Sequence, residues 1–180
     1  MTLGDYKTTA TTDMFIHWSE EEVKEHQRAF IKALRSGDYK QGDQRLLTVD
    51  WEDGEPVKKY CCLGVACDVS NLGVWGATVD YNAVSQAGPH YSMRNYTVTN
   101  PDSGEAESFP TLMPNIVAEY YGWGGDGIPT ETNPQLPDGE MSIMRPGEYR
   151  YVGMANLNDD WDWDFNKFAD VLEKEWKLNG

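Results

Sequence analysis

The chain has 180 residues, of which 39% are hydrophobic and 12% aromatic, and this composition predicts one compact domain with a sizeable core. The net charge of −15, of which −11 falls in residues 101–180, disfavours direct nucleic-acid binding through phosphate neutralisation. No apolar run approaches the roughly 18 residues of a membrane span, and three cysteines do not make a disulfide framework, which is typical of the cytoplasm.

The first predicted element is a helix. Residues 1–18 are interpreted as a loose arm, and residues 19–180 as a single domain. Ser19 followed by Glu22 fits a capping box, so a helix is predicted from Glu20 to about Ser36, with Gly37 as its stop. Its buried stripe is predicted to comprise Val23, Phe30, Ala33 and Leu34.

The same helix carries a basic row on a different face, formed by Lys24, Arg28, Lys32 and Arg35. A ligand phosphate could lie against this row. A solvated face is the commoner explanation of such a pattern.

A loop is predicted next, at Tyr39-Lys40-Gln41-Gly42. Gly42 allows close backbone approach, and Gln41 offers both a donor and an acceptor. The loop precedes a hairpin predicted from two apolar runs, 46–49 and 57–60, around Asp53-Gly54. It is therefore either one wall of a ligand pocket or an ordinary turn.

The hairpin leads into Tyr60-Cys61-Cys62, where a buried helix is predicted to begin and to continue to about Leu72, with Gly73 as its stop. A helix start can lower a thiol pKa and activate it. Small, soft side chains also suit close packing between a strand and a helix, and packing is the commoner use of buried cysteine.

The middle of the chain gives weaker signals. A strand is predicted over 91–99, with Met93, Tyr96 and Val98 inward, then a turn over 100–104 and a helix over 114–121. The GxGxxG at 122–127 lacks the strand-before, helix-after context of a nucleotide fingerprint, so Trp123 is interpreted as a lid or anchor in a loop. Residues 128–148 form an irregular proline-rich excursion.

The last third contains a short strand predicted over 149–152 and a final helix. Asp164 is predicted to cap this helix, with its inward face formed by Phe165, Phe168, Ala169, Leu172 and Trp176. The overall prediction is therefore an α+β fold, in which short antiparallel strands pack with about four helices and long irregular Gly/Pro loops.

Three segments carry a resemblance. LRSGDYKQG at 34–42, YCCLGV at 60–65 and LND at 157–159, followed by Phe165 in a helix, resemble a group of small bacteriophage and prophage proteins. In that group the spacing from Asn-Asp to Phe is one residue shorter, so residues 160–164 are expected to form a different loop here. The resemblance implies a phage origin and a similar fold, and it implies no reaction.

Candidate chemistry is sparse. His90 could pair with Cys61 or Cys62 in a thiol hydrolase or transferase. Asp160, Asp162 and Asp164 lack the glycine and glutamate of a calcium-binding EF-hand loop, which leaves an irregular cation site or, more commonly, a solvated loop that caps the helix. The cysteine and histidine spacings do not suit zinc, so no metal and no cofactor are predicted.

The Asn158-Asp159 pair is the other candidate, since both side chains can hydrogen-bond a base or a ribose hydroxyl, or simply tie backbone segments together. The candidate ligand-binding residues are thus Tyr39, Lys40, Gln41, Tyr60, Cys61, Cys62, Trp123, Asn158 and Asp159.

Three functions agree with these features. The favoured one is a phage accessory protein, not an enzyme, that binds a small ligand without turnover and sequesters a nucleotide-derived signal of host immunity. The alternatives are a thiol enzyme and an acidic inhibitor that mimics a polyanion. A homo-oligomer that completes a pocket between chains also fits.

Overall fold

The computed structural model describes residues 18–80, 92–100, 103–123 and 163–178, together with Met154 and Asn158. The described residues form an α+β fold with four helices, as predicted: α1 Glu20–Arg35, α2 Cys62–Ser70, α3 Asn115–Tyr120 and α4 Phe165–Glu175. The predicted arm up to residue 17, the proline-rich excursion and the strand over 149–152 lie outside these residues.

Within the described residues, eight short strands form two sheets. The strands are β1 Lys40–Gln41, β2 Leu47–Glu52, β3 Glu55–Tyr60, β4 Val74–Trp75, β5 Val79–Asp80, β6 Ser92–Met93, β7 Tyr96–Thr99 and β8 Ala106–Phe109. One sheet has the order β1-β3-β2-β6-β5 and the other β4-β7-β8. Every pairing is antiparallel except that of β1 with β3.

The start and end of α1 follow the predicted signals. The Ser19 backbone N–H donates to Glu22 Oε2 at 2.8 Å, and the Glu22 N–H donates to Ser19 Oγ at 3.3 Å, which is the capping box. Gly37 has a φ of +77° just beyond the end.

The inward face of α1 differs in part from the predicted stripe. Phe30 and Leu34 are buried as expected, but Gln27 and Ile31 are also buried, while Val23 and Ala33 are half-buried. Gln27 was missed because its amide donates to the Tyr121 carbonyl at 2.9 Å. A carbonyl left unpaired near the end of α3 thus makes a polar residue suitable for the interior.

The hairpin is confirmed. Asp53 and Gly54 have φ values of +51° and +85°, which a two-residue turn of this hand requires. The prediction of a loop across Tyr39–Gly42 was wrong at its centre. Lys40 and Gln41 form an edge strand parallel to β3, opposite Lys59 and Tyr60, and two residues are too few to show a strand period.

Helix α2 ends earlier than predicted, because Asn71 adopts the left-handed conformation (φ +53°) that stops it. The predicted stop, Gly73, serves close packing instead: an added Cβ would meet the Thr97 carbonyl oxygen and lie 2.8 Å from the Tyr96 ring. Gly64 plays the same part within α2, where an added Cβ would overlap the Leu46 carbonyl. The tight seat of α2 on the start of β2 therefore requires glycine.

The single strand predicted over 91–99 is two strands in different sheets. The chain crosses between the sheets at Arg94-Asn95, where the Arg94 N–H donates to the Leu47 carbonyl at 3.1 Å and the Asn95 carbonyl accepts from Gly76 N–H at 2.9 Å. Tyr96 and Val98 are buried as predicted, and Met93 is half-buried.

Helix α4 packs against α1 and closes the core. Asp164 caps it by accepting the Lys167 N–H at 2.8 Å. The predicted inward residues Phe165, Phe168, Ala169 and Leu172 are buried, and Trp176 is half-buried. In the part of the chain that the structure describes, no helix has the length and apolar character needed to cross a membrane.

Candidate functional site

The cysteine junction is a core feature. Cys61 caps α2, its Sγ accepting the Gly64 N–H at 3.4 Å. Cys61, Cys62 and Cys67 are only 4%, 0% and 0% exposed, and burial raises the pKa of the Cys67 thiol well above its usual value. These three cysteines belong to the hydrophobic core, as the commoner use of buried cysteine leads one to expect.

Asn158 joins this junction to segments distant in sequence. Its Oδ1 accepts the Cys62 backbone N–H at 3.3 Å and the Gln41 Nε2 at 3.4 Å, while its Nδ2 donates to the Gly42 carbonyl at 2.9 Å. Gln41 Nε2 also donates to the Trp163 carbonyl at 2.6 Å. We call this set of bonds the Asn158 clamp.

The clamp brings together three of the residues singled out in the sequence, Gln41, Cys62 and Asn158. The Asn158 side chain is only 3% exposed, and its bonds run to the protein itself. One of them satisfies an N–H of the first turn of α2, which no intrahelical carbonyl can reach. The clamp therefore fixes the positions of the start of α2, the end of β1 and residue 158 relative to one another.

Tyr39 and Tyr60 lie in an aromatic cluster around Asp68. The carboxylate of Asp68 accepts from Tyr39 Oη at 2.7 Å and from Trp75 Nε1 at 2.7 Å. Burial, followed by the charge of Asp68, raises the pKa of Tyr60 to about 12, and burial together with the Asp68 hydrogen bond raises the pKa of Tyr39. Asp68 and Trp75 were not predicted as site residues, because no spacing rule marks them.

The other candidates lie elsewhere. Lys40 is exposed and pairs with Glu52 at 2.9 Å. Trp123 is 4% exposed and packs against Phe30 and Trp176, at ring distances of 6.0 and 5.6 Å, so it is part of the hydrophobic core. Asp159 and His90, with Asp160 and Asp162, lie outside the described residues.

An open cavity of about 510 Å³ lies where the C-terminal halves of α1 and α4 meet. We call it the α1–α4 groove. The groove is lined by three cations from the basic row of α1, two apolar side chains and two polar ones. The cations are Arg28, Lys32 and Arg35, the apolar residues are Ile31 and Leu178, and the polar residues are Ser36 and Glu173.

The cations of the groove differ in how they are paired. Arg35 Nη2 contacts Asp170 at 2.6 Å and Glu173 at 2.8 Å, both on α4, and these carboxylates raise the Arg35 pKa through their hydrogen bonds. Arg28 contacts Glu21 at 3.3 Å. Lys32 has no ion pair within the described parts of the chain. The groove therefore presents cationic donors that an anion can reach.

A metal site is not formed by the described residues. Among positions 18–80, 92–100, 103–123 and the described positions from Met154 onward, no three histidine, cysteine or acidic side chains are grouped to hold an ion.

The comparison with known protein families gives one match. Residues 20–176 match the model of a domain of unknown function, DUF8296. The chain belongs to this family. No curated protein and no solved structure shows significant similarity to it. The DUF8296 region runs from the start of α1 to just past the end of α4, so it includes the clamp and all but one of the side chains that line the groove.

Proposed function

We propose that this DUF8296 protein binds a small, nucleotide-derived ligand in the α1–α4 groove and does not convert it. The observation that carries the proposal is the groove itself, a cavity of about 510 Å³ lined by three cations. Its volume falls within the roughly 300–1,000 Å³ of small-molecule sites. Because the chain as a whole has a net charge of −15, this is a local cationic surface on an acidic protein.

Arginine and lysine are the side chains that bind phosphate most often, arginine through its planar fork of donors and lysine as a point charge. The apolar lining, formed by Ile31 and the half-buried Leu178, suits the sugar or base of a nucleotide. The proposal places the ligand here instead of at the clamp, where Gln41 and Asn158 already hydrogen-bond protein groups.

The burial of the thiols supports the part of the proposal that assigns no turnover. A cysteine nucleophile acts as the thiolate and must be accessible. Cys61 and Cys62 are 4% and 0% exposed, which weighs against a thiol hydrolase that uses either of them with His90.

The biological setting of the proposal comes from the phage-type segments of the sequence. A phage accessory protein in the host cytoplasm that withdraws a nucleotide signal needs affinity and no catalysis. This setting rests on analogy, while the anionic nature of the ligand rests on the groove.

A thermal-shift panel of cyclic nucleotides and ADP-ribose derivatives tests the proposal. A ligand present at 100 times its Kd adds about 2.7 kcal/mol to the free energy of unfolding, so the melting temperature should rise for at least one member. Mass spectrometry of the recovered ligand should find it intact. No rise for any member, or recovery of a cleaved product, would contradict the proposal.

A further inference from the structure

The donors of the basic row are only partly used by the protein. Arg35 makes both of its ion pairs through Nη2, so its Nε and Nη1 hydrogens have no hydrogen-bond partner in the described parts of the chain. Lys32 Nζ likewise has none there, and Arg28 is held only by the 3.3 Å contact of Nη1 with Glu21. An oxyanion can therefore bind without breaking the contacts between α1 and α4.

Helical spacing places these donors along one line. Arg28, Lys32 and Arg35 follow one another at four and three residues, and positions separated in this way share a helix face. At a rise of 1.5 Å per residue, Lys32 and Arg35 are about 4.5 Å apart along the axis, and Arg28 lies about 6 Å further back. One phosphate group can therefore contact Lys32 and Arg35 together more readily than it can contact all three side chains.

Arg35 is also the cation whose position is best fixed. Its contacts with Asp170 and Glu173 fix the orientation of the guanidinium, and a pre-oriented fork loses less entropy on binding an oxyanion. Glu173 also lines the groove, and its negative charge repels a bound anion. Contacts with both Lys32 and Arg35 offset this repulsion better than a contact with one of them.

The apolar side of the groove limits the ligand further. Ile31 is buried beneath the basic row and Leu178 is half-buried at the other wall. A bare inorganic anion would leave this surface wet, whereas an aromatic or sugar group attached to the phosphate would cover it.

From these contacts we infer that the groove takes an amphiphilic phosphate ester, with the phosphate on Lys32 and the open edge of Arg35 and a flat apolar group over Ile31 and Leu178. This inference rests on the proposed function and adds the seat and orientation of the ligand. Lys32 and Arg35 lie in the last turn of α1, where basic residues also stabilise a helix by complementing its dipole. That structural role alone would give the groove no preference for one ligand over another.

Isothermal titration calorimetry with adenosine 5′-monophosphate, adenosine and inorganic phosphate tests this inference. Adenosine 5′-monophosphate should bind the wild type at least about tenfold more tightly than adenosine, since one charge-assisted hydrogen bond contributes about that factor. It should also bind more tightly than inorganic phosphate, which leaves the apolar surface of Ile31 and Leu178 uncovered. Lys32→Gln should weaken its binding by about the same factor. Lys24→Gln is the matched control, because Lys24 is on the same helix, pairs with Glu20 and does not line the groove.

Arg35→Lys keeps the charge but removes the fork and should also weaken binding. Equal affinity for adenosine and its monophosphate, equal losses in Lys32→Gln and Lys24→Gln, or no binding of the monophosphate would overturn the inference. If a nucleotide of the thermal-shift panel binds intact but is indifferent to Lys32→Gln, the proposed function stands and the seat described here is rejected.

Discussion

Removal of the Asn158 amide should test the clamp directly. In Asn158→Ala, the Cys62 backbone N–H loses its partner at 3.3 Å and the Gly42 carbonyl loses its partner at 2.9 Å. Cys62 is 0% exposed, so water cannot replace the lost bond of its N–H, and the loss of that bond should cost about 1–3 kcal/mol. The half-buried Gly42 carbonyl can regain water, so its lost bond should cost about 0.5–1.5 kcal/mol.

Gln41 keeps its bond to the Trp163 carbonyl and adds little to the loss. We therefore expect Asn158→Ala to lower the free energy of unfolding by roughly 2–4 kcal/mol, a large share of the 5–15 kcal/mol of a typical domain. Urea denaturation should show a lower midpoint at an unchanged slope.

Asn100→Ala is the control. Asn100 Oδ1 accepts the Ser103 N–H at 3.2 Å in an exposed turn, where water replaces the lost bond, so less than about 1 kcal/mol should be lost. Equal midpoints for Asn158→Ala and Asn100→Ala would refute the view that the clamp holds the start of α2.

Three further changes have expected outcomes. Gly64→Ala should cost about 3 kcal/mol of unfolding free energy, the upper end of the usual range for overpacking, because its Cβ would overlap the Leu46 carbonyl and lie 2.7 Å from the carbonyl carbon; a wild-type urea midpoint would contradict this. Asp164→Ala should lose about 1 kcal/mol of unfolding free energy in the same assay, because α4 loses its N-terminal cap. An unchanged urea midpoint would show that the cap does not stabilise the protein. Tyr60→Phe should resist alkali better than the wild type. The Tyr60 pKa is raised to about 12 in the folded protein, so the wild type loses free energy of unfolding as the pH rises from about 10 through 12, and phenylalanine does not titrate. Identical pH profiles of unfolding for the two proteins would contradict this.

The local elements of the fold were predictable because their signals lie within a few residues. Ser19 and Glu22 define the start of α1, Asp53-Gly54 defines the hairpin turn, and Asp164 defines the start of α4. In each case a short side-chain or backbone preference favours the conformation without the help of distant residues.

The tertiary features were less accessible from sequence. The parallel strand at Lys40–Gln41 is too short to show a period, and the burial of Gln27 depends on a carbonyl 94 residues away. The clamp was anticipated only as two separate candidates, since the bond between Cys62 and Asn158 spans 96 residues.

The groove shows the same limit. Its basic row was visible as i, i+4, i+7 spacing, but a solvated face was the more usual explanation of that row. Only the packing of α4, whose Glu173 contacts Arg35 across 138 residues, makes a concave surface of it. Sequence spacing identifies which residues share a face, and the wall opposite that face requires the fold.

A crystal structure of the protein soaked with the nucleotide that gives the largest thermal shift is the most direct test of where the ligand binds. We expect its phosphate at about 2.7–3.1 Å from the donors of Lys32 and Arg35, with the phosphoester bond intact. A nucleotide bound at the Asn158 clamp, or a cleaved nucleotide in the groove, would contradict the proposed binding site and its lack of turnover.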